Sequence, residues 1–468
     1  MNTKQAFKKF IDFEAEFSVF SKSYNDVYYW DRIRCQVFSE IVEKVGIWST
    51  DKSSFERQSV DRNLLLAGFS KAIHSLRSVR DSPLFTGRRD ILFAAADTSR
   101  RQYFNETYWD VLVDPLADQI EYSYTSLEDK SKIKKMCDDN IWTHDTTATD
   151  QIHFISNIST ILGDTVTVNA DAADDIYFLE RKIQDIFDVN IDLIARIQDE
   201  LTQRKYTKPL YELLLRRIDP KVVIIRYNPS KSTLIEVCQE FGIPVIELQH
   251  GVDSEYSPEI SYGDSINGEF CFPDVYFSWG DYWCNKPNFP IDDIRVVGWP
   301  FIETISEEYI FSNQQRKILF ISQPTCGETL SQIAVEVADT IEQEVIYRLH
   351  PNERNVWRSL YPWLESSNVY IDSGERSLYD IMGECCTQVG TESTALYEGL
   401  MFNQNTYILD EFDSETHPWC EMDEITIFSE AETLCKYLKK TKNTNVDCSR
   451  FFRPNSIKNI QQEISDII

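Results

Sequence analysis

The chain is short of histidine, of paired cysteine, of long apolar runs and of positive charge, and each shortage removes a class of function. Only six histidines occur in 468 residues, and none pairs at metal-ligand spacing, so neither a structural nor a catalytic zinc is expected. The eleven cysteines are odd in number and scattered, with no CxxC pair, which fits a reducing cytoplasm rather than a disulfide framework. The adjacent Cys385 and Cys386 read as small apolar filler in a strand. A membrane-crossing helix needs about 18 consecutive apolar residues, and no such run is present. The segment Met1-Asn-Thr-Lys-Gln-Ala-Phe-Lys-Lys has no apolar core of the secretory kind, so no signal peptide is expected. Lysine and arginine total 47 against 76 acids, a formal charge of −29. Such a surface repels a phosphate backbone and anionic lipid alike, so nucleic acid is not an expected partner and direct membrane adsorption is disfavoured. An ordinary acidic surface and a surface built for a high-salt cytoplasm both fit this charge.

What the chain does contain is a globular interior. Hydrophobic residues make up 42% and aromatics 13%, which excludes wholesale disorder, and the length suits two or three domains. Residues 1–85 read as a helical region, with Phe7, Phe10, Ile11, Phe13 and Phe17 near helical spacing. Strand Asp90–Ala96 opens a first α/β domain, 86–300, and runs into the polar loop Asp97-Thr-Ser-Arg-Arg101. A mostly helical insertion is expected over about 125–215, including Ile176–Leu201, where apolar residues recur at three and four. Alternation resumes with strands at Lys221–Arg226, Pro244–Leu248, Val275–Ser278 and Ile294–Val297. After a linker at Gly298–Gln315, a second series of strands and helices fills 301–430, and residues 431–468 read as C-terminal helices. The fold class is therefore α/β, with two Rossmann-like domains facing across a cleft and a helical N-terminal region.

Two segments in the second series end in polar groups. Glu344-Val-Ile-Tyr-Arg-Leu-His-Pro351 is an apolar strand that Pro351 terminates, and Arg348 and His350, two apart, are expected to point to one side. In Val389-Gly-Thr-Glu-Ser-Thr-Ala-Leu-Tyr-Glu-Gly399, Gly390 breaks a strand, and a helix begins near Ser393 with three hydroxyls close by, Thr391, Ser393 and Thr394. Open α/β sheets bind ligands beyond the carboxyl ends of their strands, and a helix start suits an anion, so both clusters could face one phosphate. Against this, His350 could simply cap backbone, Ser393 and Thr394 could simply cap their helix, and Glu398 could be solvent-exposed. The acidic cluster Asp171–Asp175 reads as a solvated helix start rather than a metal site. Arg226 and Asn228, at another strand end, are weaker candidates, and Tyr282, Trp283 and Trp299 read as packing.

The string Gly242-Ile-Pro-Val-Ile-Glu-Leu-Gln-His-Gly-Val252, with Phe277-Ser-Trp-Gly-Asp-Tyr-Trp283, Val297-Gly-Trp-Pro300, Arg348-Leu-His-Pro351 and Ser377-Leu-Tyr-Asp380 through Gly399, resembles the inverting GT-B glycosyltransferases of surface polysaccharide synthesis. Those include polysialic-acid and capsule transferases and the related CDP-glycerol glycerophosphotransferases, and the match covers roughly 220–410. The resemblance implies a metal-independent transferase, with no cofactor, that takes a nucleotide-sugar donor and a glycan or lipid-linked acceptor. Membrane contact would come through a partner or that acceptor, at the inner face of the membrane. It assigns His350 to the donor phosphate, with Arg348, Pro351, Gly390 and Thr391 around it. Ser393 and Thr394 would bind the same phosphate, and Glu398 the ribose. His250 would act on the acceptor side; Asp97 is the alternative base, although its surroundings do not match the sialyl-type acidic motif. Transfer of glycerol phosphate or polyol phosphate, a UDP-sugar 2-epimerase and a non-catalytic scaffold stand as alternatives.

Overall fold

The computed structural model describes residues 1–47, 85–95, 101–103, 107–128, 146–148, 152, 156–157, 159–160, 163–264, 266, 270–309, 315–391, 393–410, 422, 425–440 and 446–468. The chain forms two compact units, Met1–Gly298 with Ile457–Ile468, and Trp299–Ser456.

The first unit is built on strands β1 (Ile91–Ala94), β2 (Tyr124–Glu128), β3 (Thr146–Ala148), β4 (Val222–Ile225), β5 (Val245–Leu248), β6 (Val275–Ser278) and β7 (Ile294–Val296). They form one parallel sheet in the order β7-β6-β5-β4-β1-β2-β3. β1, β4, β5 and β6 are buried along their whole length, which explains their near-continuous apolar sequence. Helices α1 (Thr3–Glu16), α2 (Trp30–Lys44), α3 (Ala170–Phe187) and α4 (Leu193–Ile218) pack as a separate apolar cluster in this unit. Asn2 and Gln5 form a capping box that starts α1, and Phe7, Phe10 and Phe13 then fall on its buried face. Beneath these rings Glu14 accepts from Trp30 Nε1 at 2.7 Å and from Arg34 Nε at 2.9 Å, so the buried acid and base satisfy each other.

One expectation needs correction here. The stretch expected to be helical from about 125 begins instead with strand β2 and includes strand β3. The periodic stretch Ile176–Leu201 is helical in two pieces: Asp188 takes a left-handed φ of 58° and ends α3, and Asp192 starts α4 by accepting from Ala195 N at 2.9 Å. Of the C-terminal helices expected over 431–468, residues 431–456 fall in the second unit. The last helix, Ser456–Ile467, joins the first through Asn459, which donates to the Val297 carbonyl at 3.0 Å, and through Glu463, paired with Arg295 at 3.0 Å.

The second unit carries β8 (Gln315–Ile321), β9 (Val345–Arg348), β10 (Tyr370–Asp372), β11 (Cys385–Gly390), β12 (Asn405–Leu409) and β13 (Thr426–Phe428). All are parallel, in the order β10-β9-β8-β11-β12-β13. Counting from its first strand, this is the doubly wound order 3-2-1-4-5-6; the first unit repeats it with one strand more. The fold class is α/β with two Rossmann-like sheets. Helix α5 (Gly327–Thr340) follows β8, and α6 (Thr394–Leu400) follows β11. The segment expected to link the two sheets, between Val296 and Gln315, holds a helix, Pro300–Tyr309.

Candidate functional site

In a doubly wound sheet the winding reverses between the first and fourth strands, and the crevice beyond their carboxyl ends is where ligands sit. In the second unit that switch point lies between β8 and β11. The chain leaves β8 through Ser322 and Gln323, leaves β9 through His350, and leaves β11 through Thr391 and Ser393. The imidazole and the hydroxyls, remote in sequence, therefore share one edge of one sheet. They lie two strands apart, which at the usual interstrand spacing is about 10 Å.

The turn after β9 fixes His350 from both sides. The His350 N–H donates to Glu353 Oε2 at 2.8 Å, and the Asn352 N–H donates to His350 Nδ1 at 3.3 Å. A backbone N–H can only donate, so Nδ1 is the lone-pair nitrogen and the neutral ring carries its proton on Nε2. Burial lowers the imidazole's affinity for a second proton; nearby Glu353 opposes this and Arg354 reinforces it. Glu353 is itself buried and takes the Tyr361 hydroxyl on Oε1 at 2.6 Å. Gly327, the first residue of α5, lies against that pair, and a Cβ there would run into the Tyr361 hydroxyl and Glu353 Oε1.

The remaining sites expected from sequence divide. Ser393 and Thr394 are half-buried at the start of α6, and Ser393 Oγ accepts from Ala395 N at 3.2 Å, so this hydroxyl caps the helix. With seven residues, α6 is too short to lend a large dipole. Thr391 is buried and donates to Gln323 Oε1 at 2.7 Å, with Cys326 Sγ 3.3 Å from the same hydroxyl. It ties β11 to the turn after β8 across the switch point rather than facing outward. At Gly390 a Cβ would press on Leu396 Cδ1 at 3.0 Å, so a side chain there requires Leu396 to shift. Glu398 is not solvent-exposed: it is buried, and its Oε2 accepts from the Tyr379 hydroxyl at 2.9 Å. Arg348 is already engaged by neighbours in its own unit. Its guanidinium is ion-paired with the buried Asp372, its neighbour on β10, and donates to the Arg376 carbonyl at 2.8 Å. Pro351 is exposed and closes the strand.

In the first unit, the equivalent switch point lies between β1 and β4. Asp97 falls outside the described residues. Tyr227, just past β4, takes a left-handed φ of 60°, and its ring meets His250 edge-on at 5.4 Å between centroids. His250 follows Gln249, which is buried and pins the turn: its Nε2 donates to the Gly251 carbonyl at 2.9 Å and its Oε1 accepts from Trp279 N at 2.8 Å.

Beside this turn the structure gathers acids that were not among the residues expected from sequence. Glu247 on β5 is fully buried and accepts both the backbone N–H and the side-chain amide of Asn228, each at 3.0 Å. Burial outweighs those bonds and, with Glu259 nearby, pushes its carboxyl up to about 7. Burial likewise raises Asp253, although the Tyr276 hydroxyl donates to it at 2.7 Å. The signal for Glu247 was present, since one carboxylate in the apolar run Pro244–Leu248 is out of pattern.

No family model matches the sequence, and no curated protein matches it. Solved structures do. The UDP-GlcNAc 2-epimerase of Methanocaldococcus jannaschii, in complex with UDP-GlcNAc and UDP, is 12% identical, covering 80% of this chain and 98% of that one, with a TM-score of 0.45. MurG of Acinetobacter baumannii is 10% identical over 80% and 99%, at 0.43. A variant of the wall teichoic acid polymerase TagF is 11% identical over 86% and 97%, at 0.45. Likenesses this distant carry no argument about the activity of this chain. Among the described residues no group of three His, Cys, Asp or Glu could hold a metal ion, and no described helix is long and apolar enough to cross a membrane.

Proposed function

We propose that the chain is a transferase that takes a sugar from a nucleotide-activated donor and passes it to a glycan or lipid-linked acceptor, with the donor phosphate held by the second unit. The observation that carries this reading is the shared edge: His350 and the Ser393–Thr394 helix start stand at the carboxyl ends of β9 and β11, flanking the switch point. In this reading the sugar–oxygen bond breaks, and the phosphate oxygen keeps the electron pair. The His350 Nε2–H donates a hydrogen bond to that oxygen as its charge develops, which a neutral imidazole can do at pH 7. The acceptor hydroxyl attacks from the opposite face and loses its proton to a general base, for which His250 is the candidate. Asp97 keeps its place as the alternative base. Arg348 acts by fixing β9 to β10, and Glu398 by holding Tyr379.

The full chain incubated with CMP-, UDP- and CDP-linked donors should release nucleotide, and His350→Ala should suppress that release. Release that is equally fast in the variant would sink the assignment of His350. A second reading draws on Glu247, Asp253 and Glu259: acids desolvated beside the His250 turn could move a proton at a sugar carbon. Interconversion of UDP-HexNAc epimers without an acceptor is the outcome that favours it.

A further inference from the structure

Bases total 47 against 76 acids in this chain, yet one arginine at the donor edge has no hydrogen-bond or ion-pair partner among the described residues. Arg354 makes no hydrogen bond and no ion pair there, and its Nε is buried without an acceptor. It lies four residues beyond His350, just past the turn in which the Glu353 N–H donates to the His350 carbonyl at 2.9 Å. Its guanidinium rests on Gly374, which follows β10 with a φ of +99°; a Cβ at that position would run into the guanidinium carbon and both terminal nitrogens. The backbone beyond β10 is thus shaped to let the guanidinium lie flat against it. Two acids act on it electrostatically without a hydrogen bond: Asp372, already ion-paired with Arg348, and Glu375, which accepts from the backbone N–H and hydroxyl of Ser373. A guanidinium held half-buried beside a second one is costly unless an anion completes the set. Burial, and next the charge of Arg348, weaken the hold of Arg354 on its proton, which is the electrostatic sign of that cost.

We infer that Arg354 is an anion ligand, and that with the His350 Nε2–H it binds phosphoryl oxygens of the donor nucleotide at the carboxyl edge of β9 and β10. This rests on the donor reading above and names a contact that reading lacks. Planar guanidinium donors match two oxygens of one phosphate, so the site selects a nucleotide phosphate over an uncharged nucleoside. It also supplies the positive charge that Arg348, committed to Asp372, does not.

The test is calorimetric titration of the full chain with UDP, CMP, CDP, uridine and inorganic phosphate, in wild type, Arg354→Gln, Arg354→Lys and Arg358→Gln. Arg358 is exposed and paired with Glu365, so its variant changes the net charge equally without touching the site. A charged hydrogen bond lost at such a site lowers affinity by about 10- to 100-fold. Arg354→Gln should weaken the nucleotide that binds wild type by that factor and leave any uridine binding unchanged. Arg354→Lys should keep part of the affinity, Arg358→Gln all of it, and phosphate should compete in wild type but not in Arg354→Gln. Unchanged nucleotide affinity in a folded Arg354→Gln protein, with its melting temperature lowered, would show a merely structural arginine and overturn the inference while the donor reading stands. If Arg354→Gln does not fold, Arg354→Lys decides, and equal affinity and equal phosphate competition there count against the inference. No binding of any nucleotide to wild type overturns the donor reading and this inference together.

Discussion

His350 Nδ1 accepts the backbone N–H of Asn352 at 3.3 Å, and that bond sets which nitrogen of the neutral ring carries the proton. Because Nδ1 is occupied, the proton of the neutral ring sits on Nε2, and the group offered outward is a donor. A glutamine at this position can place its amide N–H near Nε2, whereas an asparagine reaches only the Nδ1 position. His350→Gln should retain part of the nucleotide-release rate, while His350→Asn and His350→Ala should each lose about 100-fold. Equal rates for the glutamine and asparagine variants would contradict the tautomer.

The same imidazole leaves a mark on stability. Its proton affinity in the folded chain lies below the ordinary value of about 6.5. The unfolded chain therefore binds more protons between the two values, and stability rises with pH there. The contribution of His350 is complete above about pH 6.5 and is lost as pH falls through the lowered folded value. Urea unfolding from pH 5 to 8 should show this slope in wild type and a flatter curve in His350→Ala.

Glu247 gives the opposite sign. Its carboxyl is raised by burial to about 7, so the folded chain holds the proton more tightly than the unfolded one. Its contribution is complete below the ordinary carboxylate range and declines as pH rises through about 7. Glu247→Gln should remove that decline. It also places an amide nitrogen against Asn228 Nδ2, which should cost about 1–3 kcal/mol at pH 5, read from the same unfolding curves.

Glu353 couples the imidazole to the start of α5. Its two oxygens take the His350 N–H and the Tyr361 hydroxyl. Glu353→Ala leaves both donors without their acceptor and should lower stability by roughly 2–3 kcal/mol. As a positioning residue it should also slow nucleotide release, with a larger loss in kcat than in KM. A loss of stability with kinetics unchanged would show that the turn does not depend on it.

Thr391 is a strut by its geometry, and its removal should look different. Thr391→Val loses the 2.7 Å bond to Gln323 Oε1 and should cost about 1 kcal/mol of stability. Nucleotide affinity should change by less than about threefold. A tenfold loss of affinity would return Thr391 to the phosphate contacts assigned to it from sequence.

The legible parts of this fold were the strands that are buried on both faces. Lys317–Ile321 and Val345–Arg348 are largely apolar runs and Cys385–Val389 carries two buried polar residues, the last two closed by a proline or a glycine, so their ends, and the residues at those ends, could be read directly. Tyr124–Glu128, Thr146–Ala148 and Thr426–Phe428 lie toward sheet edges and carry polar residues, so no continuous run announces them. The fate of Arg348 was hidden for another reason. Its partner Asp372 is 24 residues away and becomes its neighbour only through the parallel register of β9 and β10. Arg354 sits in an aperiodic turn, where pattern says nothing, and its missing partner is visible only in three dimensions. The return of residues 457–468 to the first unit is likewise a matter of packing that no local pattern encodes.

The account centres on a nucleotide held at the carboxyl edge of the second sheet. Hydrogen exchange of the full chain, with and without saturating nucleotide, tests this most directly. The account predicts slowed exchange in peptides covering 348–354 and 390–398. Slowed exchange confined to 226–230 and 249–254, or none in either region, would contradict it.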